Sequence, residues 1–169
     1  LRDRSVLANE ANAWLMEHDV HALIIGVGDA GTDERNPLSV GRRRTLIEAA
    51  LNDVSELAAV RSKIRTESVP WSTDSAGQFA KMLSHLPRQG SIRFASGNFK
   101  TLASMSDMSL ECVQVKNRED VKEWSGEAIR LAIKEDRLEE IRAKLPSPVY
   151  EMMEANGDFV RIREILTKS

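Results

Sequence analysis

The sequence is poor in cysteine and has no long apolar run. Its single cysteine, Cys112, excludes an internal disulfide framework and a zinc site built from several cysteines, and it suits a reducing compartment. The longest apolar run covers residues 22–27, far short of the ~20 residues that a membrane-spanning helix needs. No segment has the basic start and apolar middle of a signal peptide. We therefore expect a cytoplasmic protein without a membrane partner.

An excess of one charge is also missing. Lys and Arg number 24 and Asp and Glu number 26, which gives a net charge of −2. Nucleic-acid binding draws much of its affinity from contacts between basic side chains and phosphates, so this balance argues against a nucleic-acid partner. Hydrophobic residues make up 41% and charged residues 30% of the chain, which is typical of a folded globular protein. At 169 residues and with no visible domain boundary, we predict a single domain.

Short apolar segments alternate with amphipathic ones along the chain. Residues 21–28 are apolar on both faces and end at glycine, which is typical of a buried parallel strand. Further strands are predicted over residues 63–69, 91–96 and 111–115. Helices are predicted over residues 4–18, from 39 to about 51, and over 99–106, 126–134, 137–145, 148–155 and 158–167. A further helix, capped by Thr73 or Asp74, is predicted to carry the apolar residues of 79–86. The alternation predicts an α/β fold: a Rossmann-like open, mostly parallel sheet with helices on both faces and a C-terminal helical cap.

Glycines stand where a ligand would bind such a sheet. Ligands of open α/β sheets bind outside the carboxyl ends of the strands. Gly26 and Gly28 lie at the end of one predicted strand, and Gly97 and Asn98 follow another. Glycine lets a ligand approach the backbone closely because it has no side chain. The alternative is that these glycines only form turns.

The segment from Ser125 to Arg130 combines features that favour phosphate. Ser125 and Gly126 precede a predicted helix, whose N-terminus offers unpaired N–H donors and a partial positive charge. Arg130 lies about one turn into the helix and can add a charge-assisted contact. The alternative is that Ser125 serves only as a helix cap. The three histidines, in contrast, show no metal-binding spacing, and no metal site built from side chains is predicted.

Three successive arginines, Arg42, Arg43 and Arg44, occur at the start of another predicted helix. Positive charge at a helix N-terminus opposes the helix dipole, so an anionic substrate is one explanation for the run. A solvated surface, or pairing with Asp33 and Glu34, is the other.

Four motifs in order resemble the nucleotidyltransferase superfamily, and most closely the archaeal-type nicotinamide-nucleotide adenylyltransferases. The motifs are Ile25-Gly-Val-Gly-Asp29, Asn36-Pro-Leu-Ser-Val-Gly-Arg-Arg43, Phe94-Ala-Ser-Gly-Asn98 and Ser125-Gly-Glu-Ala-Ile-Arg130. The resemblance covers roughly residues 5–165. It implies transfer of AMP from ATP to nicotinamide mononucleotide, giving NAD and pyrophosphate with Mg²⁺. It also implies self-association, since family members often form oligomers.

The resemblance assigns roles to residues that match these motifs. Ser125, Gly126 and Arg130 are expected to hold the ATP phosphates, with Ser125 and Arg130 acting in catalysis. The dinucleotide cleft and its nucleotides are expected to lie against Gly26, Gly28, Asn36, Arg43, Gly97 and Asn98.

The front of the family pattern is not matched. Family members open with a strand and a His-x-Gly-His motif that binds the triphosphate, whereas this chain starts at about the helix that follows. We therefore expect either an absent N-terminal segment, including the first strand, or a divergent member. Two other functions stay open: a related transferase with a phosphopantetheine or flavin mononucleotide acceptor, and a non-catalytic nucleotide-binding or structural module.

Overall fold

The computed structural model describes residues 21–29, 31–70, 92–96, 103, 106, 111–114 and 125–168. The strands are β1 (Leu23–Asp29), β2 (Ile64–Pro70), β3 (Arg93–Ser96) and β4 (Glu111–Gln114). The helices are α1 (Val40–Asn52), α2 (Gly126–Lys134), α3 (Leu138–Arg142), α4 (Ser147–Ala155) and α5 (Asp158–Thr167). The chain divides into two compact units, one formed by Leu1–Ser68 with Ile129–Ser169 and the other by Val69–Ala128. The expectation of a single domain stays a prediction.

The described residues of the first unit form two apolar clusters. The larger one joins Leu38, just before α1, to side chains of α2 to α5, and Ile133 and Ile141 are its most deeply buried members. Leu46 and Ala50 of α1 pack against it and are partly buried. Burial of each large aliphatic side chain stabilises the fold by about 1.5–3 kcal/mol.

The smaller cluster lies under β1. Leu57, Val60 and Ile64 form its centre, and β1 and β2 are neighbouring strands of one sheet. Leu23 and Ile25 of β1 pack against this centre, which fits the apolar pattern that predicted the strand. The strand is confirmed, with bounds shifted to Leu23–Asp29, but the burial expected for it is not: Val27 is its one buried residue, and Gly26 and Asp29 are exposed.

In the second unit, β3 and β4 pair in parallel, with Arg93 opposite Glu111 and Ser96 opposite Gln114. Parallel neighbours require a crossover connection, which is typical of α/β folds. The predicted parallel arrangement is therefore confirmed for this pair. The helix predicted over 99–106 falls almost wholly outside the described residues, as do the helices predicted over 4–18 and 79–86.

Local signals set the helix ends. The Ser39 side chain accepts a hydrogen bond from the Arg42 backbone N–H (3.2 Å), and the Ser125 side chain accepts one from Ala128 (3.2 Å). The cap role that the sequence allowed for Ser125 is confirmed, and Ser39 caps α1 in the same way. Gly157, between α4 and α5, has a φ of 67°, a left-handed conformation that glycine adopts without steric strain. The bounds of α2 and α5 agree with the prediction, whereas α3 is shorter than residues 137–145.

These elements make a mixed α/β structure with parallel strands and several helices, as the sequence predicted. Within the described ranges, no helix has the length and apolar character needed to cross a membrane.

Candidate functional site

The carboxyl end of β1 brings three of the predicted site residues together. Arg43 donates from Nη2 to the carbonyl oxygen of Gly28 (2.6 Å). Its Nη1 donates to the Asn36 side-chain oxygen (3.5 Å). The end of a strand, the loop after it and the first turn of α1 therefore meet at one guanidinium group.

The position of Arg43 follows from how α1 begins. Side chains of a helix tilt toward its N-terminus, so a residue in the first turn reaches back over the preceding loop. Arg43 Nε donates to the carbonyl oxygen of Leu38 (3.1 Å), which lies just before the Ser39 cap. Among the described residues, no carboxylate pairs with Arg43. The acceptors that the described residues offer to Arg43 are neutral oxygens.

The loop before α1 is held by its own polar side chains. The Asp33 carboxylate accepts from the Asn36 backbone N–H (2.6 Å) and from Asn36 Nδ2 (3.2 Å). The backbone N–H donation from Asn36 lowers the pKa of Asp33 below its ordinary value. Aspartate commonly fixes turns in this way. The orientation of the Asn36 side chain toward Arg43 is thus set from the loop side.

The neighbours of Arg43 are occupied elsewhere in the fold. Arg42 pairs with the buried Asp158 (Nη2–Oδ2 2.6 Å) and donates to the Met152 carbonyl oxygen (2.8 Å). Arg44 donates from Nη2 to the Thr66 carbonyl oxygen (2.8 Å). The arginine run is therefore neither a solvated surface nor a cluster facing Asp33 and Glu34. Its partners come from β1, β2 and the C-terminal helices, which sequence spacing does not reveal.

Arg130 is half-buried on α2. Its side chain makes no hydrogen bond or ion pair with another residue of the part of the chain that the structure describes. A half-buried guanidinium group can form charge-assisted hydrogen bonds with an anion. Burial of Ile129 and Ile133 in the core fixes the face of α2 from which it projects.

The remaining predicted residues are less closely defined. Ser125 and Gly126 are exposed at the start of α2, where Ser125 acts as the cap described above. These two residues lie in the second unit, whereas Arg130 lies in the first. Gly26 is exposed on β1, two residues before Gly28 and on the same face of the strand. Gly97 and Asn98 lie outside the described residues.

Two contributors to this region were not among the predicted site residues. The charge pattern suggests Asp33 only as a partner for the arginines, although an Asp three residues before an Asn-Pro pair is a recognisable turn signal. Thr66 is 2% exposed and donates to Glu48 Oε1 (2.6 Å) while accepting from Arg44. Nothing in the local sequence marks this threonine.

A protein-built metal centre finds no support in the described ranges. They contain no group of three or more His, Cys, Asp or Glu side chains that could share a metal ion.

Comparison with known proteins gives a fold but no family. No protein-family model matches the chain, and no curated protein matches it. Eleven chains of solved structures do match. One is the crystal structure of a bifunctional NMN adenylyltransferase/ADP ribose pyrophosphatase from Francisella tularensis, with a TM-score of 0.66 and 12% sequence identity. The match covers 95% of this chain and 48% of that one, so this chain spans about half of that protein's length and shares the Rossmann-like α/β fold of the matched part.

Proposed function

We propose that this protein is a nucleotidyltransferase that transfers AMP from ATP to nicotinamide mononucleotide, giving NAD and pyrophosphate. The observation that carries the proposal is Arg130, a half-buried cation without a partner among the described residues, on a helix whose start suits phosphate. The fold shared with about half of a bifunctional NMN adenylyltransferase/ADP ribose pyrophosphatase supports a nucleotidyltransferase-type function, and the ordered sequence motifs support nicotinamide mononucleotide as the acceptor. Cytoplasmic location and self-association remain expectations attached to this proposal.

The chemistry requires positioning and charge neutralisation more than it requires a nucleophilic side chain. A phosphate oxygen of nicotinamide mononucleotide attacks the α-phosphorus of ATP, one P–O bond forms, and the bond to the β-phosphate oxygen breaks. Pyrophosphate leaves with the electron pair of that bond. Arg130, with Ser125 and the backbone N–H of Gly126, would hold the triphosphate and offset the charge that builds up on it.

The remaining predicted residues would form the walls of the nucleotide site. Gly26 and Gly28 would let a nucleotide approach the β1 backbone closely, whereas a role for Gly97 and Asn98 stays an expectation from the resemblance. Asn36 and Arg43 would border the site from the loop and from α1. ATP would bind as its Mg²⁺ salt, with the ion carried on the phosphates.

The direct test measures NAD formation from ATP, Mg²⁺ and nicotinamide mononucleotide with the complete natural chain. We expect turnover in the wild type and a loss of at least about tenfold in ATP affinity for Arg130→Ala, because a charge-assisted hydrogen bond is removed. Arg161→Ala is the matched control, since Arg161 is an exposed arginine on α5. Binding of ATP without pyrophosphate release would indicate a nucleotide-binding module. The absence of both ATP binding and NAD formation would refute the proposal.

Ser125 needs a separate control because it caps α2. Ser125→Ala and Ser39→Ala each remove one N-cap hydrogen bond of 3.2 Å, so both are expected to cost about 1 kcal/mol of stability. If Ser125 also contacts phosphate, only Ser125→Ala weakens ATP binding. Equal ATP affinities in the two variants would leave Ser125 as a cap alone.

A further inference from the structure

We propose that Arg43 is a positioning residue that shapes the nucleotide site at the end of β1 through the geometry of its guanidinium group. This inference rests on the proposed function, because it concerns the same site. It differs from the expectation that an arginine beside a nucleotide binds phosphate directly. In this role Arg43 acts through Gly28 and the loop and does not touch the substrate phosphates.

The hydrogen bonds of Arg43 carry the argument. Each of its three nitrogens donates to a different oxygen: Nε to Leu38, Nη1 to Asn36 and Nη2 to Gly28, at 3.1, 3.5 and 2.6 Å. A guanidinium group has five N–H donors in a rigid plane, so three of them are committed to the fold. The shortest of the bonds is made to the strand end itself.

The three acceptors belong to segments that must keep fixed positions relative to one another if they are to form a nucleotide site. Gly28 ends the apolar part of β1, Asn36 closes the polar loop, and Leu38 is anchored in the core at 8% exposure. Through its three hydrogen bonds, Arg43 links Gly28 and Asn36 to Leu38. Loss of this link frees the loop and the Gly28 carbonyl without disturbing the apolar clusters directly.

Lysine cannot reproduce this arrangement although it keeps the charge. Its donors sit on one nitrogen at the end of a flexible stem, whereas the arginine donors are spread over a planar fork. A direct electrostatic contact with phosphate would survive Arg43→Lys in large part. A geometric role would be lost in Arg43→Lys. The lysine variant therefore distinguishes a positioning role from a direct contact with phosphate.

Arg44 provides a matched control on the same helix. Its guanidinium also donates to a backbone carbonyl oxygen, that of Thr66 (2.8 Å), and Arg44 is likewise half-buried. Arg44→Lys therefore removes a similar structural contact away from the end of β1. A general loss of stability is expected in both lysine variants, but a loss of nucleotide affinity only in Arg43→Lys.

The experiment compares Arg43→Lys, Arg43→Gln and Arg44→Lys with the wild type by ATP titration in the presence of Mg²⁺ and by amide hydrogen exchange over residues 26–38. We expect Arg43→Lys to lose at least about tenfold in ATP affinity, close to the loss for Arg43→Gln, with faster exchange over residues 28–36. Arg44→Lys is expected to keep both the affinity and the slow exchange. If Arg43→Lys binds ATP as the wild type does while Arg43→Gln does not, the charge alone matters and the inference is overturned.

The exchange measurement keeps this inference separate from the proposed function. If the wild type binds no ATP, the proposed function fails, but faster exchange in Arg43→Lys than in Arg44→Lys still supports the positioning role. Equal exchange in the two variants overturns it. A variant that does not fold is measured again with an osmolyte that stabilises compact states. Failure of both Arg43 variants to fold there, beside a folded Arg44→Lys, would make Arg43 a residue of general stability and overturn the inference.

Discussion

Arginine side chains bind distant parts of the first unit to one another. Arg42 contacts Asp158 from 116 positions away in the chain, and Arg44 contacts Thr66 from 22 positions away. A guanidinium group suits this use because its donors form a rigid fork that fits carboxylate and carbonyl oxygens. These single side chains fix the position of α1 within its unit, so replacing one of their partners should destabilise the protein.

Asp158→Asn is expected to destabilise the protein strongly. The carboxylate is only 4% exposed and its partner Arg42 is 19% exposed, so the change leaves a charge with little water and no counter-charge. We expect a loss of about 2–3 kcal/mol, somewhat below the usual cost of breaking a fully buried pair. Urea unfolding would show it as a lower midpoint with an unchanged slope.

Glu140→Gln is the control for that change. Glu140 also pairs with an arginine, Arg137 (Nη1–Oε2 2.5 Å), but the two side chains are 53% and 41% exposed. Exposed pairs of this kind contribute less than about 1 kcal/mol. Equal costs for the two substitutions would show that the pair between α1 and α5 stabilises the fold no more than a surface pair does.

Tyr150 predicts a loss of stability at alkaline pH. Burial, followed by the charge of Glu154, raises the pKa of Tyr150 above its ordinary value of 10.0. Above pH ~10 the unfolded chain therefore releases the phenolic proton while the folded chain retains it, so folding becomes less favourable as pH rises. Tyr150 is the single tyrosine of the chain, which lets tyrosinate absorbance follow it directly.

The measurement compares tyrosinate absorbance against pH in native buffer and in concentrated denaturant. The native titration is expected at the higher pH. Tyr150→Phe should flatten the decline in stability above pH ~10, although lysines titrate in the same range. Superimposed native and denatured titrations would contradict the prediction.

The ends of the helices are fixed by a few residues each. Ser39 and Ser125 begin α1 and α2, and Gly157 lies directly before α5 in the left-handed conformation. Such signals act over three or four residues. The arginine contacts, in contrast, decide which surface each helix presents to the rest of its unit.

Gly157→Ala and Gly41→Ala form a matched pair, because one glycine is left-handed and the other is helical. A Cβ atom at either position meets nothing within 4 Å, so backbone conformation alone separates them. Gly157 has a φ of 67°, and alanine there is expected to cost about 1 kcal/mol. Gly41 lies within α1, and alanine there is expected to add about 0.5–1 kcal/mol. Thermal unfolding would test both, and shifts of the same sign would contradict the argument.

Across the molecule as a whole, the fold is shared with a much longer protein at 12% identity. Fold similarity of this kind leaves the acceptor of the proposed reaction open, because one fold supports several chemistries. Because the net charge is only −2, the attraction of an anionic ligand depends on local groups such as Arg130. Discrimination between the rival acceptors must therefore be measured on the protein itself.

Thermal stabilisation ranks the rival acceptors. A ligand at 100 times its Kd adds about 2.7 kcal/mol to folding stability. With ATP and Mg²⁺ present, we expect nicotinamide mononucleotide to raise the Tm more than phosphopantetheine or flavin mononucleotide at equal concentration. Greater stabilisation by either rival would replace the proposed acceptor and leave the nucleotidyltransferase assignment in place.

The α/β class, the positions of the described strands and the ends of several helices follow from the amino-acid sequence alone. Hydrophobic periodicity, capping serines and a left-handed glycine act over short stretches of chain, and they can be interpreted without knowing the fold. The resemblance to the nucleotidyltransferases, and not periodicity or spacing, assigned Gly28, Asn36 and Arg43 to one site. The structure brings these three residues into contact through the Arg43 guanidinium group.

The contacts of the other arginines, in contrast, emerge only when the chain is folded. The partner of Arg42 is Asp158, and that of Arg44 is Thr66; neither follows from charge spacing, which suggested Asp33 and Glu34. A half-buried guanidinium pairs with whatever oxygen the packed elements bring to it. Those oxygens are set by packing between distant segments, so local sequence patterns do not contain the information.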